Sequence, residues 1–171
     1  MSRIRVAGIV PESVVDGPGF RYAIFTQGCR HNCPGCQNPQ THDFEGGYVV
    51  DTDDLFAEMM EDPLIKGMTF SGGDPFEQPA PLAELAVRAH AAGKDIVAYS
   101  GYTYEQLLAK AAQEPAVMDL LRETDVLIDG PFILEQRNLE LKFRGSDNQR
   151  VIDVKQSLAS GEVVTFEFEE I

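Results

Sequence analysis

The chain has 171 residues, 43% hydrophobic and 25% charged, with 15 Gly and 10 Pro; this is ordinary globular composition and excludes collagen-like, coiled-coil and wholly disordered chains. Lys and Arg number 14 against 28 Asp and Glu, a formal net charge of −14, which argues against sequence-independent nucleic-acid binding and against docking to anionic lipid. No apolar run approaches the roughly 18 residues of a membrane span, and the stretch after Arg3 and Arg5, residues 6–10, is too short for a signal-peptide core, so the expected location is cytoplasmic.

In chain order, residues 4–10 and 22–26 read as short apolar strands, and residues 28–47 as a long loop holding every cysteine. Residues 55–60 belong to a helix with Asp51 or Thr52 as N-cap. A strand at 68–70 precedes a helix at 82–92 that Gly93 ends. A strand at 96–99 leads to helices at 104–112 and 116–122, then to a strand at 126–128. In the tail, residues 151–154 pair with 163–168, where Val164, Phe166 and Phe168 alternate with Thr165, Glu167 and Glu169. A C-terminal hairpin through Ser160-Gly161 is expected there.

Alternating strand and helix predicts an α/β fold with a mainly parallel sheet. A complete eight-fold barrel takes about 250 residues, so the sheet is expected to be open, as a partial barrel or a doubly wound sheet. With no repeat and no break in composition, residues 1–171 read as one domain. The unusual segments all follow strands: 28–47, Ser71-Gly72-Gly73-Asp74-Pro75, Ser100-Gly101-Tyr102-Thr103 and Asp129-Gly130-Pro131-Phe132. In parallel α/β folds such loops gather at the carboxyl ends of the strands, so these four are expected to share one pocket.

Cys29, Cys33 and Cys36 stand in a C-x3-C-x2-C spacing, with Gly28, Pro34 and Gly35 supplying turns. An odd number of cysteines without a secretory signal does not suggest a disulfide scaffold. Three readings compete: incidental buried thiols, a Cys3His zinc site completed by His42, and an iron–sulfur cluster with three protein thiolates. Electron-transfer clusters normally take four cysteines. Three leave one iron open to a substrate.

The spacing matches the signature of the radical S-adenosylmethionine (SAM) superfamily. Asp16-Gly17-Pro18-Gly19, Cys33-Pro34-Gly35-Cys36-Gln37-Asn38-Pro39, Thr69-Phe70-Ser71-Gly72-Gly73-Asp74-Pro75, Tyr99-Ser100-Gly101-Tyr102 and Phe143-Arg144-Gly145-Ser146-Asp147-Asn148-Gln149-Arg150 narrow the match. Together they resemble the activating proteins of anaerobic ribonucleoside-triphosphate reductases from about residue 10 to 154. The tail, 155–171, carries no matching motif. Two positions depart from the wider superfamily: Gly35 replaces a usual aromatic before the third cysteine, and Asp74 ends a motif that often ends in Glu.

The resemblance implies an open partial (β/α) barrel of the radical SAM type. It implies one [4Fe–4S] cluster on Cys29, Cys33 and Cys36, with SAM on the fourth iron. It implies reductive cleavage of SAM to a 5′-deoxyadenosyl radical, which generates a glycyl radical on the large reductase subunit. A low-potential donor such as flavodoxin or ferredoxin would supply the electron. Gly72, Gly73 and Asp74 would face the methionyl ammonium, although they also read as a plain turn. Ser100 would contact the carboxylate or ribose, or cap the next helix. Gly35, Cys36 and Gln37 would offer backbone groups to the adenine, and Arg144 would neutralise the SAM carboxylate or help dock the partner.

His31 reads as solvated or as a cluster-tuning donor, His90 as structural, and Arg150 as a surface ion pair. Asp16-Gly17-Pro18-Gly19 would border the partner's entry path. A short open barrel encloses a small substrate poorly, which also favours a protein-borne one. The rival readings are an activase for another glycyl radical enzyme and a zinc-stabilised binding module.

Overall fold

The computed structural model describes residues 2–31, 33–36, 39–138, 141 and 143–166. Seven strands make one sheet: β1 (Arg3–Ser13), β2 (Arg21–Thr26), β3 (Tyr48–Asp51), β4 (Gly67–Gly72), β5 (Asp95–Tyr99), β6 (Val126–Asp129) and β7 (Arg150–Asp153). Their order is β3-β1-β2-β4-β5-β6-β7. The central run β2-β4-β5-β6 is parallel. β1 is antiparallel to β2 and β3, and β7 is antiparallel to β6. The expected mainly parallel sheet is thus corrected to a mixed one. A parallel neighbour needs a crossover of a dozen or more residues, and the short link from β1 to β2 allows only a reversal.

The helices are α1 (Thr52–Met60), α2 (Pro79–Ala91), α3 (Tyr104–Ala111), α4 (Pro115–Glu123) and α5 (Val154–Ser160). Side chains alternate across a strand, and this sorts the sheet into two faces. Met68, Phe70, Ile96, Ala98, Leu127 and Ile152 join Leu55, Leu82, Leu85, Leu107, Val117 and Leu120 of the helices in the main core. Val97, Val126, Ile128 and Val151 form a separate cluster, with Tyr99, Phe143 and Phe166 packed on it. All five α-helices contribute to the main core, so among the described residues the second face is left to loops.

Strand β3 was not expected. Its Tyr-Val-Val run favours a strand, but its pairing with β1 joins Arg3 to Asp51 and Val6 to Tyr48 across the whole cysteine loop. The C-terminal hairpin is corrected as well. Asp153 accepts from Gln156 N at 3.0 Å and caps α5, which ends at Gly161 with φ +79°. A helix therefore fills the expected turn. The pairing itself survives: Thr165 bridges Ile152, with Asp153 N donating to Val164 O and Phe166 N to Val151 O. Glu167 and Phe168 of the expected strand lie outside the described residues.

His90, near the end of α2, has the structural role expected of it. Its Nδ1 lies 2.7 Å from Glu123 and its Nε2 2.7 Å from Asp125, which also accepts from Ile96 N. Carboxylates only accept, so both ring nitrogens donate only in the imidazolium. Burial opposes that charge, but the hydrogen bonds to Asp125 and Glu123 outweigh it and raise the pKa above 6.5. The stabilisation is full below the unfolded-state value of about 6.5 and is lost as pH rises through the raised folded value. Urea unfolding of wild type and His90→Gln across pH 5.5 to 9 checks this. The gap is expected to be widest at the acid end and to close on the alkaline side; a gap constant with pH would refute it.

Candidate active site

The cysteine loop leaves β2 at Gly28 and is closed at its neck. Gly28 N donates to Thr41 O at 2.7 Å and Cys29 N to His42 O at 3.2 Å. Gln27 Nε2 donates to Gln40 O and Asp43 O at 3.1 and 2.6 Å. Within the loop, Cys36 N donates to Cys33 O at 3.1 Å. The neck bonds do not involve the thiols, so the neck closes without them.

The loops after β2, β4, β5 and β6 do converge, around one cavity of about 310 Å³. Cys29, Cys33, Cys36, Gly72, Gly73, Ser100 and Arg144 line it, with Tyr99 and Ile128 from the helix-free face of the sheet. Val15 and Asp16 of the β1–β2 link also reach it. Gly35 and Asp74 are not among the lining residues, Asp74 being buried and Gly35 exposed, and Gln37 lies outside the described residues. Phe132, Phe143 and Gln149 also line the cavity; the sequence marked the segments that carry them without giving these three side chains a role.

Gly72 and Gly73 have a packing reason of their own. Gly72 has φ +96°, and a Cβ on it would strike the backbone N of Thr26, while one on Gly73 would strike Gly28 O. The pair is a tight crossing against the cysteine loop and a wall of the cavity without side chains.

Asp74 is fully buried and ties three loops together. Its Oδ1 accepts from Phe76 N at 3.0 Å and Ser100 Oγ at 3.1 Å. Its Oδ2 accepts from Ser100 Oγ at 2.9 Å, Gly101 N at 3.0 Å and His31 Nε2 at 2.7 Å. The Ser100 hydroxyl also accepts from Tyr102 N, and the helix cap expected of it belongs to Thr103.

His31 is not solvated: its side chain is 15% exposed, and its ring meets that of Tyr102 edge-on at 4.4 Å. Above this pair, Tyr102 donates to Glu77 at 2.5 Å, and Glu77 grips the Arg30 guanidinium. Burial, with Glu77 adding to it, pushes the Tyr102 phenol well above its usual pKa. Arg30 and His31, next to Cys29, thus latch the cysteine loop to the segment after β4.

Arg150 is more than a surface pair. It bridges Asp129, buried at the end of β6, and Glu105 at the start of α3, and its pKa is raised by both. Arg144 donates to Gln149 O at 2.8 Å. Gln149 accepts from Gly145 N and Ser146 N and donates to Gly130 O, which folds the 143–149 segment over the cavity.

Burial pushes the Cys33 thiol up, partly countered by a hydrogen bond from the Phe132 backbone. A cation that displaces the proton reverses that preference. The donor set fits an iron–sulfur cluster: three soft sulfurs share one cavity, and the chain has no fourth cysteine. Among the described residues no three His, Cys, Asp or Glu side chains gather around a single-ion position. His42 lines the cavity without completing a zinc tetrahedron. A cluster does not need such convergence, because its thiolates bind different irons.

A family model described as a 4Fe-4S single cluster domain matches residues 15–152. The anaerobic ribonucleoside-triphosphate reductase-activating protein of Escherichia coli K12 is 37% identical over 155 residues, covering 82% of this chain and 93% of the relative. Its namesake in Vibrio cholerae O1 is 38% identical over 148 residues, with 81% and 91% covered. The one from phage T4 is 34% identical over 152 residues, with 84% and 90% covered. The matched span contains the cysteine loop and every segment that lines the cavity. On this evidence the chain belongs to the family of anaerobic ribonucleoside-triphosphate reductase-activating proteins.

Proposed function

We propose that this chain generates the glycyl radical on the large subunit of the anaerobic ribonucleoside-triphosphate reductase. SAM would bind in the cavity beside one [4Fe–4S] cluster held by Cys29, Cys33 and Cys36. The observation that carries the reading is the meeting of those three cysteines, the Gly72-Gly73 wall and Arg144 in one cavity. When bound, the cluster supplies the low-potential electron that cleaves SAM to a 5′-deoxyadenosyl radical and methionine, and that radical takes a hydrogen atom from a glycine Cα.

The residues divide the remaining work. Gly72 and Gly73 lack side chains at the wall, so backbone carbonyls there can accept from the methionyl ammonium. Arg144 is the only Arg or Lys among the described lining residues, and it would pair with the SAM carboxylate. Gly35, Cys36 and Gln37 would offer backbone groups to the adenine. Asp74 and Ser100 act as positioning residues, because their polar atoms are already engaged by the loops they hold. Tyr99, Ile128 and Phe143 keep water from the inner wall.

The placement of all helices on one face supports reading the sheet as an open partial barrel within one domain. Its open side would admit a glycine-bearing loop of the reductase past Asp16-Gly17-Pro18-Gly19. A flavodoxin or ferredoxin would serve as donor, in the cytoplasm; no membrane or nucleic acid enters the reaction. The test is anaerobic incubation of the cluster-loaded protein with SAM, a reductant and the candidate reductase, followed by EPR. A glycyl radical signal that needs all four components is expected. Zinc without acid-labile sulfide in an anaerobic preparation would end this reading.

A further inference from the structure

Phe132 is an aromatic side chain that the core does not use. It follows β6, is half-buried and lines the cavity. Among the described residues it belongs to neither apolar cluster, whereas Phe143 and Tyr99 pack onto the second one. The other rings at the cavity include His31, which is committed to Asp74 and Tyr102.

Two glycines frame the Phe132 ring. A Cβ on Gly35 would lie 3.4 Å from its Cε2, and one on Gly145 would lie 3.0 Å from its Cδ1 and 3.3 Å from its Cε1. Gly35 has φ +75°, so a side chain there is strained as well as crowded, with Leu134 Cδ1 at 2.9 Å. The ring thus sits in a slot open to the cavity, between the cysteine loop and the 143–149 segment. Phe132 lines the same cavity as Cys29, Cys33 and Cys36, which places the slot beside the cysteines.

A planar apolar group that belongs to neither core cluster and lines a cavity beside polar groups suited to an amino acid is complementary to a flat heteroaromatic ring. We propose that Phe132 is the stacking platform for the adenine of SAM and a specificity-determining residue for the nucleoside half of that ligand. The inference rests on the reading of the cavity as the SAM site.

Binding to the cluster-loaded full-length protein under anaerobic conditions tests it. The probes are SAM and 5′-methylthioadenosine, which keeps the adenine and lacks the amino-acid group. Phe132→Ala is expected to raise Kd for both by about 10- to 100-fold. Phe132→Leu, which preserves apolar bulk, is expected to raise it about threefold to tenfold. Phe132→Tyr retains a ring and is expected to bind as wild type does, with iron and sulfide unchanged in all three variants. The proposal is overturned if Phe132→Leu and Phe132→Ala bind both probes like wild type, if Leu134→Ala weakens binding equally, or if the Phe132 variants lose the cluster. Failure of the wild-type protein to bind SAM would instead remove the site reading beneath it.

Discussion

Replacing Cys29, Cys33 or Cys36 singly by alanine is expected to strip the protein of its cluster and abolish glycyl radical formation. Loss of an outer-shell partner at a metal site typically costs 10- to 100-fold in affinity or activity, and loss of a ligand should exceed that. The three positions should respond alike, since each would supply one of three thiolates and the chain has no fourth cysteine. The fold should survive. The loop neck is closed by Gly28 N to Thr41 O and Cys29 N to His42 O, backbone bonds that an alanine leaves intact. The metal-free variants are expected to melt within about 2 °C of metal-free wild type. Iron and sulfide analysis, thermal unfolding and EPR make the comparison. A variant that keeps full iron and radical yield would remove its cysteine from the ligand set.

The second large effect is expected at Asp74. Its carboxylate is fully buried and accepts from Phe76 N, Ser100 Oγ, Gly101 N and His31 Nε2. Asp74→Ala leaves the buried Phe76 N–H, the half-buried Gly101 N–H and the buried Ser100 hydroxyl without this acceptor and cuts the cysteine loop's inner latch. Each stranded buried donor costs about 1–3 kcal/mol, so the loss is expected to reach roughly 3–5 kcal/mol. At this size that corresponds to a Tm lower by about 10 °C. Asp74→Asn keeps the shape but turns one oxygen into a donor facing other donors, so an intermediate loss is expected. Cluster content should fall with Asp74→Ala more than with Arg30→Ala, because the Arg30–Glu77 pair is largely exposed on the Arg30 side and such pairs contribute about 1 kcal/mol or less. If Asp74→Ala melts like wild type, the carboxylate does not hold these loops together.

These two expectations separate the roles that a motif merges. In sequence, Gly72-Gly73-Asp74 reads as one ligand-facing unit. In the structure the glycines line the cavity and the aspartate works behind them. Ser100, expected as a helix cap or a ligand contact, and His31, expected as solvated or as a cluster-tuning donor, both line the cavity and are also partners of one buried carboxylate. No spacing rule links positions 31, 74 and 100, because the bonds between them exist only after β2, β4 and β5 have paired.

The sequence by itself determined the class of fold and placed three thiols where they can share one centre, and the family resemblance of its motifs named the chemistry. Three cysteines within eight residues can meet at one centre through short-range turns alone, and strand–helix alternation already implies loops gathered at one end of an α/β sheet. Strand direction at the sheet edges, the β3 pairing and the helix in place of the terminal turn were decided by tertiary structure. Each depends on long-range pairing or on a competition between a capped helix and a turn that local pattern leaves open. The surroundings of Phe132 were settled by packing too: Gly35 and Gly145, distant in sequence, leave room for its ring.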